Sequence, residues 1–206
     1  MRIDSVSQSP DRAGRYLVKF SDGSSMKLYR QTVEDHRLFA GMEIDSLDAI
    51  RESNSRYSAK MRAVRIVSAS NVSKKDLETR LVRKGESEEQ ARAAVEWLED
   101  LNLLDDRNTA RQIVESCVRK GYGLQRTKQA LYEKQIPKHL WEEALADYPD
   151  QSERIADFLR TKLRDPDDPR QVRRAIDAAL RRGHSYPDVK RALELIGTES
   201  EFEEEY

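Results

Sequence analysis

Apolar residues in this chain recur at a spacing of fifty, and that period restricts the fold more than any single motif. Ala63 and Ile113, Val64 and Val114, Val67 and Cys117, Leu81 and Leu131, Ala94 and Ala144, and Val95 and Leu145 all fall apolar on apolar. A third copy has Leu159 matching Val114 and Ala179 matching Leu131, followed by Val189, Leu193 and Ile196. Inside each copy the apolar positions step by three and four, the stripe of an amphipathic helix. From Val64 to Leu81 is 17 steps, and from Val114 to Leu131 is again 17, but Leu159 to Ala179 is 20. The three extra residues fall in Asp165-Pro-Asp-Asp-Pro169, where proline cannot continue a helix. The spacing therefore predicts three helices per copy, over residues 55–101, 105–148 and 150–196. Units of this length bury their apolar faces against neighbours, so the expected fold is mainly α. About nine helices would stack into an elongated or curved array.

Residues 1–54 follow another period. Tyr16–Phe20 and Met26–Tyr29 are short β-favouring runs separated by Ser21-Asp22-Gly23-Ser24-Ser25. Asp-Gly between two such runs predicts a hairpin whose central residues both have positive φ. Arg2–Val6 offers a third strand, and short helices are expected over about 31–39 and from Ser46 to about Arg51. This β-containing module is too small to stand alone and is expected to pack on the helices that follow. Residues 197–206 form an acidic tail, expected to be disordered.

Charge narrows the function. The net charge is only -1, yet residues 109–191 hold 18 basic against 13 acidic side chains, and residues 192–206 hold 6 acidic and no basic ones. Arg83-Lys84, Arg119-Lys120 and Arg181-Arg182 each close a predicted helix, with Tyr122, Arg126 and Lys128 beyond one turn and Arg173-Arg174 ahead of another. Cations near a helix C-terminus are favourable by about 0.3–1 kcal/mol, which accounts for each pair singly. Recurrence in all three copies suggests a basic edge that meets phosphates or acidic protein surface. Catalytic signals are weak. Asp105-Asp106 reads as an N-cap and a first-turn charge rather than a metal pair. His36, His139 and His184 read as exposed or capping residues, and Gly121-Tyr122-Gly123 lacks the spacing and Lys-Ser/Thr ending of a phosphate loop. Cys117 is the only cysteine and lies on an apolar stripe, which suits a buried small hydrophobe in a reducing cytoplasm. The expectation is a binding protein, not an enzyme, without metal, cofactor or membrane span.

Leu103-Leu-Asp-Asp106, the helix ending Arg119-Lys-Gly-Tyr-Gly123, and Arg126 to Leu131 resemble the central signature of the bacterial RecX regulatory proteins. Ser73 to Gly85 is similar to that family's first-repeat motif, and Leu180-Arg-Arg-Gly183 with Val189 and Leu193 to its third. The resemblance runs from about Ser55 to Ile196. Gln135 departs from it where a Gly is commoner, and Thr127 replaces an aliphatic residue. The resemblance implies a modulator, most often an inhibitor, of the RecA recombinase that lies in the groove of RecA filaments on single-stranded DNA. It implies a cytoplasmic monomer with a role in recombination, DNA repair and the SOS response. A stand-alone DNA-binding repeat protein and a helical adaptor for some other protein are the competing readings.

Overall fold

Ser73, Ser87, Asp105 and Ser185 each place a side-chain oxygen on a backbone N–H two or three residues ahead, and each starts a helix. Such caps satisfy donors that the first helical turn leaves unpaired. The computed structural model describes residues 1–10, 14–165 and 168–197; the acidic tail expectation lies outside these. Two units are distinguished, Met1–Leu104 and Asp105 onward.

In the first unit β1 (Ile3–Gln8), β2 (Arg15–Phe20) and β3 (Ser25–Tyr29) form an antiparallel sheet in sequence order. The hairpin is as expected, but its turn is not: Gly23 has a φ of 82°, whereas Asp22 is absent from the residues of positive φ. Gly23 N–H donates to Phe20 O and Phe20 N–H to Ser24 O, so one glycine suffices for a wider turn. Asp22 Oδ1 takes both the hydroxyl and the N–H of Ser24, which lowers its pKa.

Helix α1 (Arg30–Asp35) leads to α2 (Asp48–Ala69), which runs unbroken through residues 51–55 where the sequence suggested a break. Ser53 and Asn54 are weak helix formers, but tertiary contacts override that preference. Ser53 is buried, and Asn54 Oδ1 accepts the Tyr29 N–H at 2.8 Å. The sheet is thereby tied to the helices. α2, α3 (Lys74–Arg83) and α4 (Glu88–Asp100) close over Ala59, Ala63, Leu77, Leu81, Ala91 and Leu98.

The second unit holds α5 (Asp106–Arg119), α6 (Leu124–Glu133), a 3-10 turn into α7 (Trp141–Leu145), then α8 (Ser152–Lys162), α9 (Pro169–Arg181) and α10 (Tyr186–Leu195). α7 is only five residues long, shorter than its counterparts α4 and α10. Pro137 and Pro149 bracket it, and Leu140 and Tyr148 continue the apolar packing beyond the helix itself.

The repeat is visible in the turns as well. α3, α6 and α9 end alike, with Glu86 N–H donating to Leu81 O, Ile136 N–H to Leu131 O and His184 N–H to Ala179 O. The residue before each donor is left-handed: Gly85 (φ 94°), Gln135 (φ 52°) and Gly183 (φ 85°). Gln135 thus carries the strain that glycine avoids at this helix end. Gln135→Gly is expected to stabilise the chain by about 0.5–1 kcal/mol. A urea midpoint at or below that of the wild type would refute it.

Candidate functional site

The two helix-ending turns of the second unit meet backbone to backbone. Gly123 N–H donates to Arg182 O at 2.9 Å, and Gln125 N–H donates to Gly183 O at 3.1 Å. A Cβ on Gly123 would lie 2.1 Å from Gly183 O, and one on Gly183 would lie 2.3 Å from Arg126 N. Only two glycines permit so close an approach. The Gly-Tyr-Gly stretch is therefore a packing device.

Side chains from α6, the segment before α8 and the turn after α9 hold this contact in place. Tyr148 Oη donates to Tyr122 O at 2.6 Å, and Gln151 Nε2 donates to the same carbonyl at 3.0 Å. Burial pushes the Tyr148 phenol above its ordinary pKa, so it remains a donor. Thr127, fully buried, donates its hydroxyl to Gly123 O, which explains a polar residue at an otherwise aliphatic position. His184 is buried, unlike the exposed or capping residue expected, and its Nε2 lies 3.1 Å from Gly121 O. Desolvation lowers its pKa, so it sits there as a neutral imidazole. Tyr148, Gln151 and His184 were not legible as supports, because their partners lie 26 to 63 residues away.

Charged side chains ring this rigid point. Arg119 and Lys120 precede Gly121 directly, and Arg126 follows on the first turn of α6 against Gly183. Arg182 Nη1 reaches the Gly121 turn, while its guanidinium lies 4.4 Å from the Phe158 ring centroid. Arg181 is exposed beside it. The ion pairs here are long and exposed, Arg119–Glu115 at 3.9 Å and Arg126–Glu133 at 3.8 Å, so they neutralise little. Lys128 is half-buried on α6, and Tyr122 serves the contact mainly through its carbonyl. Arg173 and Arg174 stand near the middle of α9, roughly 10 Å from Arg181 by helical rise. Arg83 and Lys84 belong to the first unit, at the end of α3.

The remaining chemistry is structural. Asp105 caps α5 through the N–H groups of Arg107 and Asn108. Cys117 is buried. Among the described residues no group of His, Cys, Asp or Glu is placed to hold a metal ion, and no helix is long and apolar enough to cross a membrane.

Residues 105–145 match the family model described as RecX, second three-helix domain. The regulatory protein RecX of Chlorobaculum tepidum is 30% identical over 153 residues, covering 72% of this chain and 95% of that one. The chain belongs to the RecX family. The RecX protein of Vibrio campbellii is 27% identical over 139 residues, covering 66% of this chain and 90% of its own. A crystal structure of regulatory protein RecX superposes with a TM-score of 0.65 at 20% identity, covering 96% of this chain and 99% of that one. RecX from Lactobacillus salivarius gives a TM-score of 0.62 at 20% identity over 70% of this chain and 98% of its own. These two likenesses concern the fold: mainly helical, with the small antiparallel sheet at the N-terminus. The RecX relatives are named as regulatory proteins, in keeping with a binding role rather than catalysis.

Proposed function

We propose that this chain binds the RecA recombinase filament on single-stranded DNA and restrains its ATP hydrolysis and strand exchange. Membership in the RecX family supports the partner. The observation that carries the surface is the pair of glycine turns packed together with Arg119, Lys120, Arg126, Arg181 and Arg182 around them. Exposed guanidinium groups on a backbone that cannot shift form a preorganised face for acidic protein surface or backbone phosphate. Lys128, Arg173 and Arg174 would extend that face, and Arg83 and Lys84 would add a contact from the first unit, in a cytoplasmic monomer. Small contacts from successive three-helix units along a filament groove add through effective concentration.

The test uses the pure protein with RecA on single-stranded DNA. ATP hydrolysis is expected to fall as the protein is added, with shorter filaments in the microscope. An unaltered rate and length would refute the reading. Tight, salt-sensitive binding to bare DNA with no effect on RecA would identify a stand-alone DNA-binding protein instead. A net charge of -1 weighs against that.

A further inference from the structure

The first unit carries a second concentration of positive charge, which shares only Lys84 with the basic edge. Arg62 and Arg65 stand three residues apart on α2, Arg80 and Lys84 four apart at the end of α3, and Arg15 lies on β2. These five line one cleft of about 490 Å³, together with Tyr29 and Ser70. No carboxylate is among its lining residues, of those the structure describes.

Two of the five are fixed by acids outside the lining. Arg62 Nε pairs with the buried Glu86 at 2.9 Å and donates Nη1 to the Lys84 carbonyl at 2.7 Å. Arg80 pairs with Asp76 at 2.8 Å. Arg15 stacks 4.8 Å above the Tyr29 ring and donates to its hydroxyl at 3.0 Å, while its Nε is a buried donor with no hydrogen-bond partner among the described residues. Arg65 and Lys84 are exposed and pair with no described carboxylate. Among the described residues five cations thus answer to two anions, an excess of about three charges in a concave space, where field lines concentrate.

Helix design accounts for only part of this. Arg80 and Lys84 suit the C-terminal end of α3. α2, however, has no basic residue in its last turn, and Arg15 lies on a strand. Repelling cations brought together from three elements are the arrangement of an anion site.

We infer that this cleft binds phosphate groups, from a nucleic-acid backbone or a nucleotide. Arg65 offers an unengaged guanidinium fork that suits two phosphate oxygens, and Arg62 and Arg80 present the N–H groups left over from their ion pairs. An excess of three is more than one carboxylate requires, whereas a phosphate monoester brings about -1.5 to -2 and each diester of a strand a full charge. The cleft volume lies within the range of small-ligand sites, roughly 300–1,000 Å³, which admits a nucleotide and not merely an ion. The site belongs to the first unit, shares only Lys84 with the proposed RecA surface, and does not rest on the RecA reading.

The test follows the arginine Nε–H signals of the full chain by NMR during titration with a twelve-residue oligothymidylate, thymidine 5′-monophosphate, pyrophosphate and hexaglutamate. Saturable shifts of the Arg15, Arg62 and Arg80 signals are expected with the oligonucleotide. Shifts with the monophosphate and pyrophosphate as well would assign free phosphate esters as ligands; shifts with the oligonucleotide alone would assign the backbone. The variant Arg65→Gln with Lys84→Gln, which breaks no described ion pair, is expected to bind about tenfold more weakly and to flatten log K against log salt by about 1.4. Arg119→Ala, Lys120→Ala and Arg126→Ala together are expected to leave the Arg15, Arg62 and Arg80 shifts in place. Equal or stronger response to hexaglutamate, or no response at these arginines, would overturn the inference. RecA is absent from the titration, so its failure and a failed ATPase test remain distinguishable.

Discussion

Gly123→Ala is expected to cost the second unit about 3 kcal/mol or more, a large loss for one methyl group. The residue has an ordinary φ of -76°, so its backbone conformation does not call for glycine. The obstacle is space: the new Cβ would stand 2.1 Å from Gly183 O, 2.2 Å from Gly183 C and 2.3 Å from His184 N. All three are backbone atoms and cannot rotate aside. The turns must part, losing the Gly123–Arg182 and Gln125–Gly183 bonds and the His184 contact with Gly121. Each is worth about 1 kcal/mol net. Gly85→Ala provides the control, since Gly85 has a φ of 94° but nothing within 4 Å of its Cβ position. It should cost about 1 kcal/mol through left-handed strain alone. Urea unfolding of both variants decides the matter, and equal losses would show that the turns do not bear on each other.

The second large effect concerns binding. Arg119→Ala, Lys120→Ala and Arg126→Ala together are expected to weaken filament binding about thirtyfold, roughly 2 kcal/mol, while leaving helix content intact. All three side chains are exposed, and their ion pairs at 3.8–3.9 Å contribute little to stability. A like substitution of Arg182 would not be clean, because its guanidinium covers Phe158. The readout is the protein concentration that half-inhibits RecA's DNA-dependent ATPase, with circular dichroism as the folding check. An unchanged midpoint would remove this cluster from the docking surface and leave the family assignment standing.

What the sequence disclosed was whatever chemistry acts within a few residues. The Ser73 and Asp105 caps, the Gly85 turn and the apolar stripes around Leu81 and Leu131 depend on neighbours three or four positions away. The hairpin was legible, but the form of its turn depended on which residues hydrogen-bond across it, and only Gly23 needed positive φ. The continuity of α2 was hidden because Ser53-Asn54-Ser55 reads as a weak point until Tyr29 is placed against Asn54. Gly123 looked like half of an inadequate phosphate loop; its reason for being glycine lies sixty residues on. Arg15, Arg62 and Arg65 were not legible as a site with Arg80 and Lys84, because a strand and two helices share them. One signal was available: the three-residue step from Arg62 to Arg65 on α2, matched by the four-residue step from Arg80 to Lys84.

The turn-on-turn contact has a bearing on how the surface tolerates change. Its two hydrogen bonds run between main-chain atoms, so the identity of Arg182 or Gln125 does not enter into them. A saturation scan of residues 119–128 and 179–186 should therefore be least tolerant at Gly123 and Gly183, with the buried Thr127, Ala179 and His184 also restricted. Exposed positions such as Lys120, Gln125 and Arg181 should accept most residues without loss of folding. Such a joint lets the charge displayed around it be rewritten, to suit one partner or another, while the scaffold beneath stays put.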